Sequence, residues 1–208
     1  LNEIKKIFSK KINFKIADIR DRLKLKKIII SNKISIIIHL AALKSVEESL
    51  NKPYEYIDNN INGLINLLNC FPKNQLEQII FSSSACVYGS AKKFPIKETD
   101  ELKYENIYGF TKIVGEQIVE NFCRENKTKY ANLRYFNPSG CYKSGKIGEN
   151  FSKKDKSLTS NLLDSLKQNK KFSIFGSNCN TKDGTPARDF VHVMDIADGH
   201  IKALNYLL

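Results

Sequence analysis

Two short runs of β-branched residues, separated by a helical segment, restrict the fold of this chain more than any other feature of its sequence. Residues 34–40 form a short β-branched run of strand length between polar and small residues, as buried parallel strands usually do, and 79–83 repeat that pattern. The segment 53–70 begins with proline, which suits the first turn of a helix, and repeats apolar residues at helical spacing. A strand, a helix and a strand in this order form a parallel unit, so the sequence predicts an α/β fold.

The alternation of strands and helices continues along the rest of the chain. A helix at 107–125 and a strand at 130–134 extend the predicted sheet, whereas 137–157 are rich in Gly, Ser, Lys and Asn and predict an irregular crossover. We therefore expect a second lobe to begin at the crossover. In that part the sequence predicts a helix at 159–168, a strand at 172–175 and a helix at 195–207 that begins with Asp.

The charge of the chain indicates little about its partners. It has 34 Lys and Arg against 22 Asp and Glu, a formal net charge of +12, which could attract a polyanion. The lysines are scattered among Asn and Ile and form no arginine-rich stripe or aromatic RNA-binding motif, so we expect no nucleic-acid partner. The longest apolar stretch, 34–43, is interrupted by polar residues and falls short of the roughly 20 residues of a membrane span, so none is predicted.

The cysteines and histidines predict neither disulfides nor a metal site. The cysteines form no CxxC pair and the opening residues do not resemble a secretory signal, so we expect free thiols in a reducing cytoplasm. The histidines have no ligand spacing to cysteines or carboxylates, so we expect no metal. The residues concerned are Cys70, Cys86, Cys123, Cys141, Cys179, His39, His192 and His200.

A tyrosine and a lysine on the predicted helix 107–125 are the first candidates for chemistry. Tyr108 and Lys112 stand at i and i+4, so their side chains share one face of the helix. A free phenol has a pKa of about 10 and is a poor base at neutral pH unless a nearby positive charge favours the phenolate. Lys112 would supply that charge, although such a pair, taken alone, is more often a solvated helix face.

A cluster of serines lies where the predicted strand 79–83 ends. The sequence from Phe81 to Gly89 runs from a buried strand through three hydroxyls to a glycine turn. Ligands of open α/β sheets bind at such carboxyl ends of strands. Ser84 then lies on the strand that neighbours the helix of Tyr108 and Lys112, and a hydroxyl, a phenol and an ammonium together can move protons. A plain turn remains the alternative.

Several further segments, taken in order, resemble one known family. The motifs SSSACVYG, YGFTK and RYFNPSG, with ADIRD, HLAALKSVEES, DNNING and DGTPARDFVHVMDIADGH, cover nearly the whole chain. Together they resemble the epimerase branch of the extended short-chain dehydrogenase/reductase family. Each segment alone could be a turn, a cap or a core element, but their common order and spacing are specific.

The resemblance implies a Rossmann-like doubly wound parallel sheet with part of a smaller substrate-binding domain. Residues 1–137 would form the NAD-binding domain and 138–208 the substrate-binding region, of which 176–208 would partly return to the NAD-binding domain. The implied activity is the NAD-dependent interconversion of UDP-glucose and UDP-galactose, by hydride removal and return at sugar C4 through a 4-keto intermediate, in galactose metabolism. The resemblance also implies a cytoplasmic homodimer that associates through the helices at 53–70 and 107–125.

The resemblance also assigns roles to individual residues. Tyr108 would take the proton of the sugar 4-hydroxyl, Lys112 would lower its pKa and bind the nicotinamide ribose, and Ser84 would hydrogen-bond the same hydroxyl. The residues expected to bind NAD are Asp18, Ile19, Leu40, Ala41, Ala42, Lys44, Asn60 and Phe136. Those expected to bind the UDP-sugar are Ser84, Tyr108, Asn137, Asn161, Leu162, Ser173, Phe175 and Arg188.

Most of these positions also have structural interpretations that the sequence leaves open. Asp18 would serve as a helix cap, Lys44 as a solvated charge and Arg188 as a member of a surface salt bridge. Buried polar or aromatic packing is the alternative for Asn60, Phe136 and Asn137.

The chain also departs from the pattern of the family. The glycine-rich phosphate loop would lie upstream of Leu1 and the family's last stretch after Leu208, so we expect a piece of a longer protein. Phe190 stands where many relatives have Tyr. Three alternatives stay open: an epimerase of N-acetylated or uronic sugars, a nucleotide-sugar 4,6-dehydratase and a non-catalytic relic. The dehydratase would need an acid where the chain has Ala85 and Cys86.

Overall fold

Three parallel strands form the main sheet of the protein. The computed structural model describes residue 4 and residues 12–91, 93–149, 157–174 and 176–208. The strands β1 (Ile36–His39), β2 (Gln78–Ser84) and β3 (Lys129–Tyr135) pair in the order β1-β2-β3. They lie in a compact unit, Asn13–Tyr135 with Gly199–Leu208, which we call the sheet unit. The second unit includes Phe136–Asp198 and is called the small unit.

Three helices of the sheet unit begin at side chains that cap them, and the fourth begins at a proline. They are α1 (Arg22–Ser31), α2 (Val46–Asn51), α3 and α4 (Ile107–Asn126); α3 consists of Pro53–Ile57, the π-helical turn Asp58–Asn62 and Gly63–Leu68. Asp21, Ser45 and Asn106 cap α1, α2 and α4 by accepting hydrogen bonds from backbone N–H groups of the first turn. The helices predicted at 53–70 and 107–125 are thus confirmed to within two residues at each end.

The apolar core lies between β2 and the helices α3 and α4. Every residue of β2 is buried, as predicted for a central parallel strand. Close approach of α4 requires glycine, because a Cβ added at Gly115 would come within 2.5 Å of Phe81 Cζ. The buried cluster consists of Leu64, Leu68, Leu76, Ile79, Phe81, Val119 and Cys123.

The prediction of a buried strand at 34–40 is only partly right. β1 is shorter than predicted, and of its residues Ile36 and Ile38 are 43% and 39% exposed. The reason is its position, since among the described residues β1 is an edge strand that pairs with β2 alone. The apolar run therefore located the strand, and within the described residues its edge opposite β2 is unpaired.

The small unit contains a second, two-stranded parallel sheet. β4 (Asn137–Ser139) pairs with β5 (Phe190–His192), and the helix α5 (Leu158–Lys167) agrees with the prediction at 159–168. The strand predicted at 172–175 is wrong for residues 172–174, and Phe175 lies outside the described residues. The last helix, α6 (Val193–Leu207), begins before the predicted Asp195, directly after β5. Strands as short as β4 and β5 leave no periodic signal.

Three further observations concern absences that the sequence predicts. No helix among the described residues is long and apolar enough to cross a membrane. The same residues contain no cluster of His, Cys, Asp or Glu that could hold a metal ion. All five cysteines are free thiols, and Cys70 and Cys123 are buried.

Candidate active site

The carboxyl end of β2 places Ser84 beside a tight turn. The residues Ala85–Tyr88 form a single 3₁₀ turn, and the Ser84 hydroxyl accepts a hydrogen bond of 3.2 Å from Cys86 N. The turn ends at Gly89, whose φ of +56° and close approach to Lys103 O exclude a side chain. The sequence signal of three serines before a glycine therefore corresponds to a fixed strand end.

Helix α4 brings Tyr108 and Lys112 to this strand end. Tyr108 lies in the first turn of α4, close enough to Ser84 for the serine hydroxyl to favour the phenolate. Lys112 is 4% exposed, and its Nζ donates a hydrogen bond of 2.7 Å to Ser82 O. The same Nζ is 5.7 Å from the centroid of the Tyr108 ring and 5.2 Å from that of Phe81. The structure thus brings together the three residues that the sequence proposed for catalysis; their roles remain predictions.

Burial dominates the proton affinities of these groups. It raises the pKa of Tyr108 to about 12, and the neighbouring Ser84 hydroxyl opposes the shift. Burial lowers the pKa of Lys112 to about 8, opposed by Glu116, and it lowers the pKa of His39 to about 4 with a contribution from Lys112. Burial is the largest influence on the pKa of Tyr108, and the lowering expected from Lys112 stays a prediction. At neutral pH the phenol is protonated and His39 is neutral.

A buried ion pair that the sequence did not single out lies behind the site. Arg134 on β3 binds both carboxylate oxygens of Glu116 on α4, through Nε at 2.9 Å and Nη2 at 2.6 Å. The Ser83 hydroxyl donates to the same carboxylate, and Arg134 Nη1 donates to the hydroxyl of Tyr88 at 2.8 Å. The position of Glu116 one turn beyond Lys112 was the only sequence signal that could have identified it.

Asn60 holds the segment that follows β1. Its Oδ1 accepts a hydrogen bond from Leu43 N at 2.8 Å, and its Nδ2 donates to Leu43 O at 3.0 Å and to Thr111 Oγ1 at 3.1 Å. Asn60 is buried in the π-helical turn of α3 and so ties this segment to α4. The neighbouring residues predicted to bind NAD are accessible: Leu40, Ala41 and Lys44 are exposed, and Ala42 is half-buried.

Asp18 and Ile19 lie beside the amino end of α1. The carboxylate of Asp18 pairs with the Arg20 guanidinium at 2.8 Å, which holds its pKa well below the ordinary range. The alternative of a helix cap at Asp18 is wrong, because Asp21 caps α1. Ile19 packs against α3, where its Cγ2 lies 2.6 Å from the place of a Cβ on Gly63. This contact explains the glycine of the DNNING motif.

The small unit holds the remaining predicted substrate residues. Asn137 N and Nδ2 both donate to Asp189 O, at 3.1 and 3.0 Å, so its side chain fixes the start of β4. Arg188 is exposed and its Nη1 donates to Ala187 O at 2.9 Å. Three other residues are exposed and belong to the same unit: Phe136, Leu162 and Ser173. Asn161 is also exposed on α5, and Phe175 lies outside the described residues.

Comparisons with known proteins agree with this arrangement. Residues 2–207 match the NAD dependent epimerase/dehydratase family. The chain is 44% identical over 208 residues to the Bifunctional protein GAL10 of Pachysolen tannophilus, covering 95% of this chain and 30% of that protein. It is 40% identical over 214 residues to the UDP-glucose 4-epimerase of Bacillus subtilis, covering 100% of this chain and 62% of that one.

Solved structures show the same likeness. The UDP-glucose 4-epimerase of Stenotrophomonas maltophila, solved with bound NAD and formylated UDP-arabinopyranose, superposes with a TM-score of 0.90 at 36% identity, covering 99% of this chain and 62% of that one. This confirms the predicted Rossmann-like fold, and NAD is the cofactor that the family's description names. The chain spans less than two thirds of the length of these relatives. It belongs to the NAD dependent epimerase/dehydratase family.

Proposed function

We propose that the protein carrying this chain interconverts UDP-glucose and UDP-galactose by an NAD-dependent reaction at sugar C4. The observation that carries the proposal is the placing of Ser84, Tyr108 and Lys112 together at the carboxyl end of β2. The relatives named UDP-glucose 4-epimerase supply the substrate class. When NAD is bound it supplies the hydride acceptor, so no second substrate is consumed.

The residues of this chain would bind NAD and handle the proton. The ammonium of Lys112 has three N–H donors, and among the described residues it donates one, to Ser82 O, which leaves donors for ribose hydroxyls. With the positive charge of bound oxidised NAD beside it, Tyr108 would first lose its own proton, then accept that of the sugar 4-hydroxyl and later return it. Ser84, whose hydroxyl lies beside the phenol, would orient the sugar 4-hydroxyl. This donor set suits a dinucleotide and a hydroxyl substrate.

The remaining assignments follow from the same proposal. Residues 1–137 would bind NAD, and 138–208 would contact the UDP-sugar, with 176–208 partly returning to the NAD-binding domain. The exposed segment Leu40–Lys44, held by Asn60, would lie along the cofactor, together with Asp18, Ile19 and Phe136. Asn137, Arg188 and the other small-unit residues would contact the nucleotide-sugar. The protein would act as a homodimer in the cytoplasm.

A dehydratase is the less favoured enzyme. Elimination of water needs an acid near the sugar, and the turn after Ser84 presents Ala85 and the thiol of Cys86 instead of a carboxylate. We therefore propose epimerisation, and not dehydration, as the reaction. Acceptance of N-acetylated sugars depends on pocket residues and is tested directly by substrate comparison.

The experiment is an assay of the full-length gene product with UDP-galactose and, separately, UDP-N-acetylglucosamine, without added reductant. Formation of UDP-glucose from UDP-galactose supports the proposal. Turnover of UDP-N-acetylglucosamine alone would change the assigned substrate to the acetylated sugar. Loss of water from a nucleotide-sugar would replace epimerisation by dehydration, and a protein that binds NAD and turns over none of them would be a relic.

A further inference from the structure

We infer that the ion pair of Glu116 and Arg134 is a positioning device for the site: it fixes the strand end that carries Ser84 and holds a carboxylate one helical turn from Lys112. The inference deepens the proposed function and rests on it for its effect on turnover. Neither residue is among the groups proposed to touch NAD or the sugar, so both would act through their neighbours.

The pair contacts one residue before Ser84 in the chain and one residue after it. On one side, the hydroxyl of Ser83 donates to the Glu116 carboxylate. On the other, the hydroxyl of Tyr88, at the end of the 3₁₀ turn, accepts from Arg134 Nη1 at 2.8 Å, and the Arg134 guanidinium carbon lies 5.2 Å from the Tyr88 ring centroid. Ser84 can therefore shift only if one of these two anchored neighbours moves.

Arg134 also reaches beyond the turn, to Glu98 O at 3.1 Å. The guanidinium thus joins α4, the turn after β2 and the loop that leads towards α4, through hydrogen bonds of defined direction. A planar fork of donors is required for this, because a lysine ammonium cannot bind two carboxylate oxygens in one plane and a phenol in another direction at the same time.

The charge on Glu116 acts on Lys112 from one helical turn away. The groups that face the Lys112 ammonium are His39 at the end of β1, the Ser82 carbonyl of β2, and Tyr108 and Glu116 of α4. Glu116 is the group that raises the pKa of Lys112, against the burial that lowers it. His39 has its pKa lowered to about 4 and is neutral near pH 7, so it does not add to the repulsion there.

The same helix offers a matched control. Glu120 is the next acidic residue along α4 and pairs with Arg124 at 3.1 Å, also at i and i+4, but both side chains are exposed. An exposed pair of this kind contributes little. The variant Glu120→Gln therefore removes a carboxylate from an ion pair on α4 without changing the buried network.

The test compares Glu116→Gln with Glu120→Gln in the full-length, NAD-bound protein. We expect Glu116→Gln to lower kcat by about tenfold or more with KM for UDP-galactose little changed, as loss of alignment predicts. The alkaline limb of the kcat profile should move to lower pH by roughly one unit, the lower end of what a nearby opposite charge contributes. Glu120→Gln should show neither effect. Glu116→Asp, which keeps the charge, should restore the alkaline limb.

A second variant separates positioning from folding. Tyr88→Phe removes one hydrogen bond of Arg134 and leaves the ion pair intact, so the protein should fold and Lys112 should titrate as in the wild type. We expect kcat to fall several-fold, because the turn after Ser84 is no longer anchored. An unchanged kcat in Tyr88→Phe would overturn the positioning of Ser84 by the pair.

The charge role has a readout that does not depend on epimerase activity. In protein labelled with ¹³C-lysine, the Cε resonance of Lys112, assigned with Lys112→Arg, reports its titration by NMR. We expect its midpoint to be lower in Glu116→Gln than in the wild type and in Glu120→Gln. An unchanged midpoint overturns the inference whether or not the wild type turns over UDP-sugars. A lowered midpoint in a protein that epimerises nothing supports the charge role and rejects the proposed function.

Discussion

Burial of the Lys112 ammonium should reduce stability at neutral pH, so its replacement by Met should abolish turnover and stabilise the fold. Burial lowers the pKa of Lys112 from 10.5 to about 8, a shift that corresponds to roughly 3 kcal/mol of unfavourable free energy for the charged form. Met would relieve this cost and lose the hydrogen bond to Ser82 O, worth about 1–2 kcal/mol. We therefore expect the free energy of unfolding at pH 7 to rise by about 1–2 kcal/mol.

The pH dependence of this difference is the sharper test. Between pH 8 and 10.5 the unfolded chain keeps the Lys112 proton and the folded protein has lost it, so wild-type stability rises with pH there. Relative to Lys112→Met, the wild type should gain about 2 kcal/mol between pH 7 and pH 9.5. The raised pKa of Tyr108 acts in the opposite direction, but only above pH 10, where the unfolded phenol ionises.

Urea unfolding of cofactor-stripped protein at pH 7 and pH 9.5 measures the stability difference between the wild type and Lys112→Met and its change with pH. Removing the cofactor matters because weaker NAD binding by the variant would otherwise lower its apparent stability. Lys103→Met, which deletes an exposed ammonium, is the control. If the free-energy difference between wild type and Lys112→Met stays constant from pH 7 to 9.5, the Lys112 ammonium is not desolvated and the reasoning fails.

Three further changes should separate chemistry, packing and cofactor binding. Tyr108→Phe should lower kcat by about 10²–10⁴-fold with NAD still bound, since only the proton acceptor is lost; steady-state kinetics and the cofactor absorbance measure this. Gly115→Ala should cost about 1–3 kcal/mol of unfolding free energy in urea titrations, because its Cβ would meet Phe81 Cζ at 2.5 Å. Asn60→Ala should weaken NAD binding about tenfold in calorimetry, a loss equivalent to one hydrogen bond, because the segment after β1 loses its anchor.

The sequence predicts the strand β2 and the helix α4 well because both have a strong, local signal. The strand β2 contains a continuous apolar run and is buried on every side. The helix α4 has apolar residues at helical spacing, which bury one of its faces. Tyr108 and Lys112 could be paired from sequence for the same reason, since i and i+4 positions of a helix meet regardless of the rest of the fold.

Contacts between distant segments could not be predicted in this way. Glu116 and Arg134 belong to a helix and a strand, and only the packing of α4 against the sheet brings their side chains within 2.6 Å. The role of Asn60 depends on Leu43 and Thr111, which no local pattern connects to it. The exposure of β1 depends on its pairing with β2 alone among the described residues, which propensity does not reveal.

The buried face of α4 is charged towards its amino end and apolar towards its carboxyl end. Towards its amino end the buried residues include Lys112 and Glu116, whose charges are costly to bury unless they have partners. Towards its carboxyl end they are Val119 and Cys123, which pack in the apolar core. The polar half is retained in the interior because β2 and β3 supply Ser82 O and Arg134. The apolar half offsets part of the cost of burying these charges.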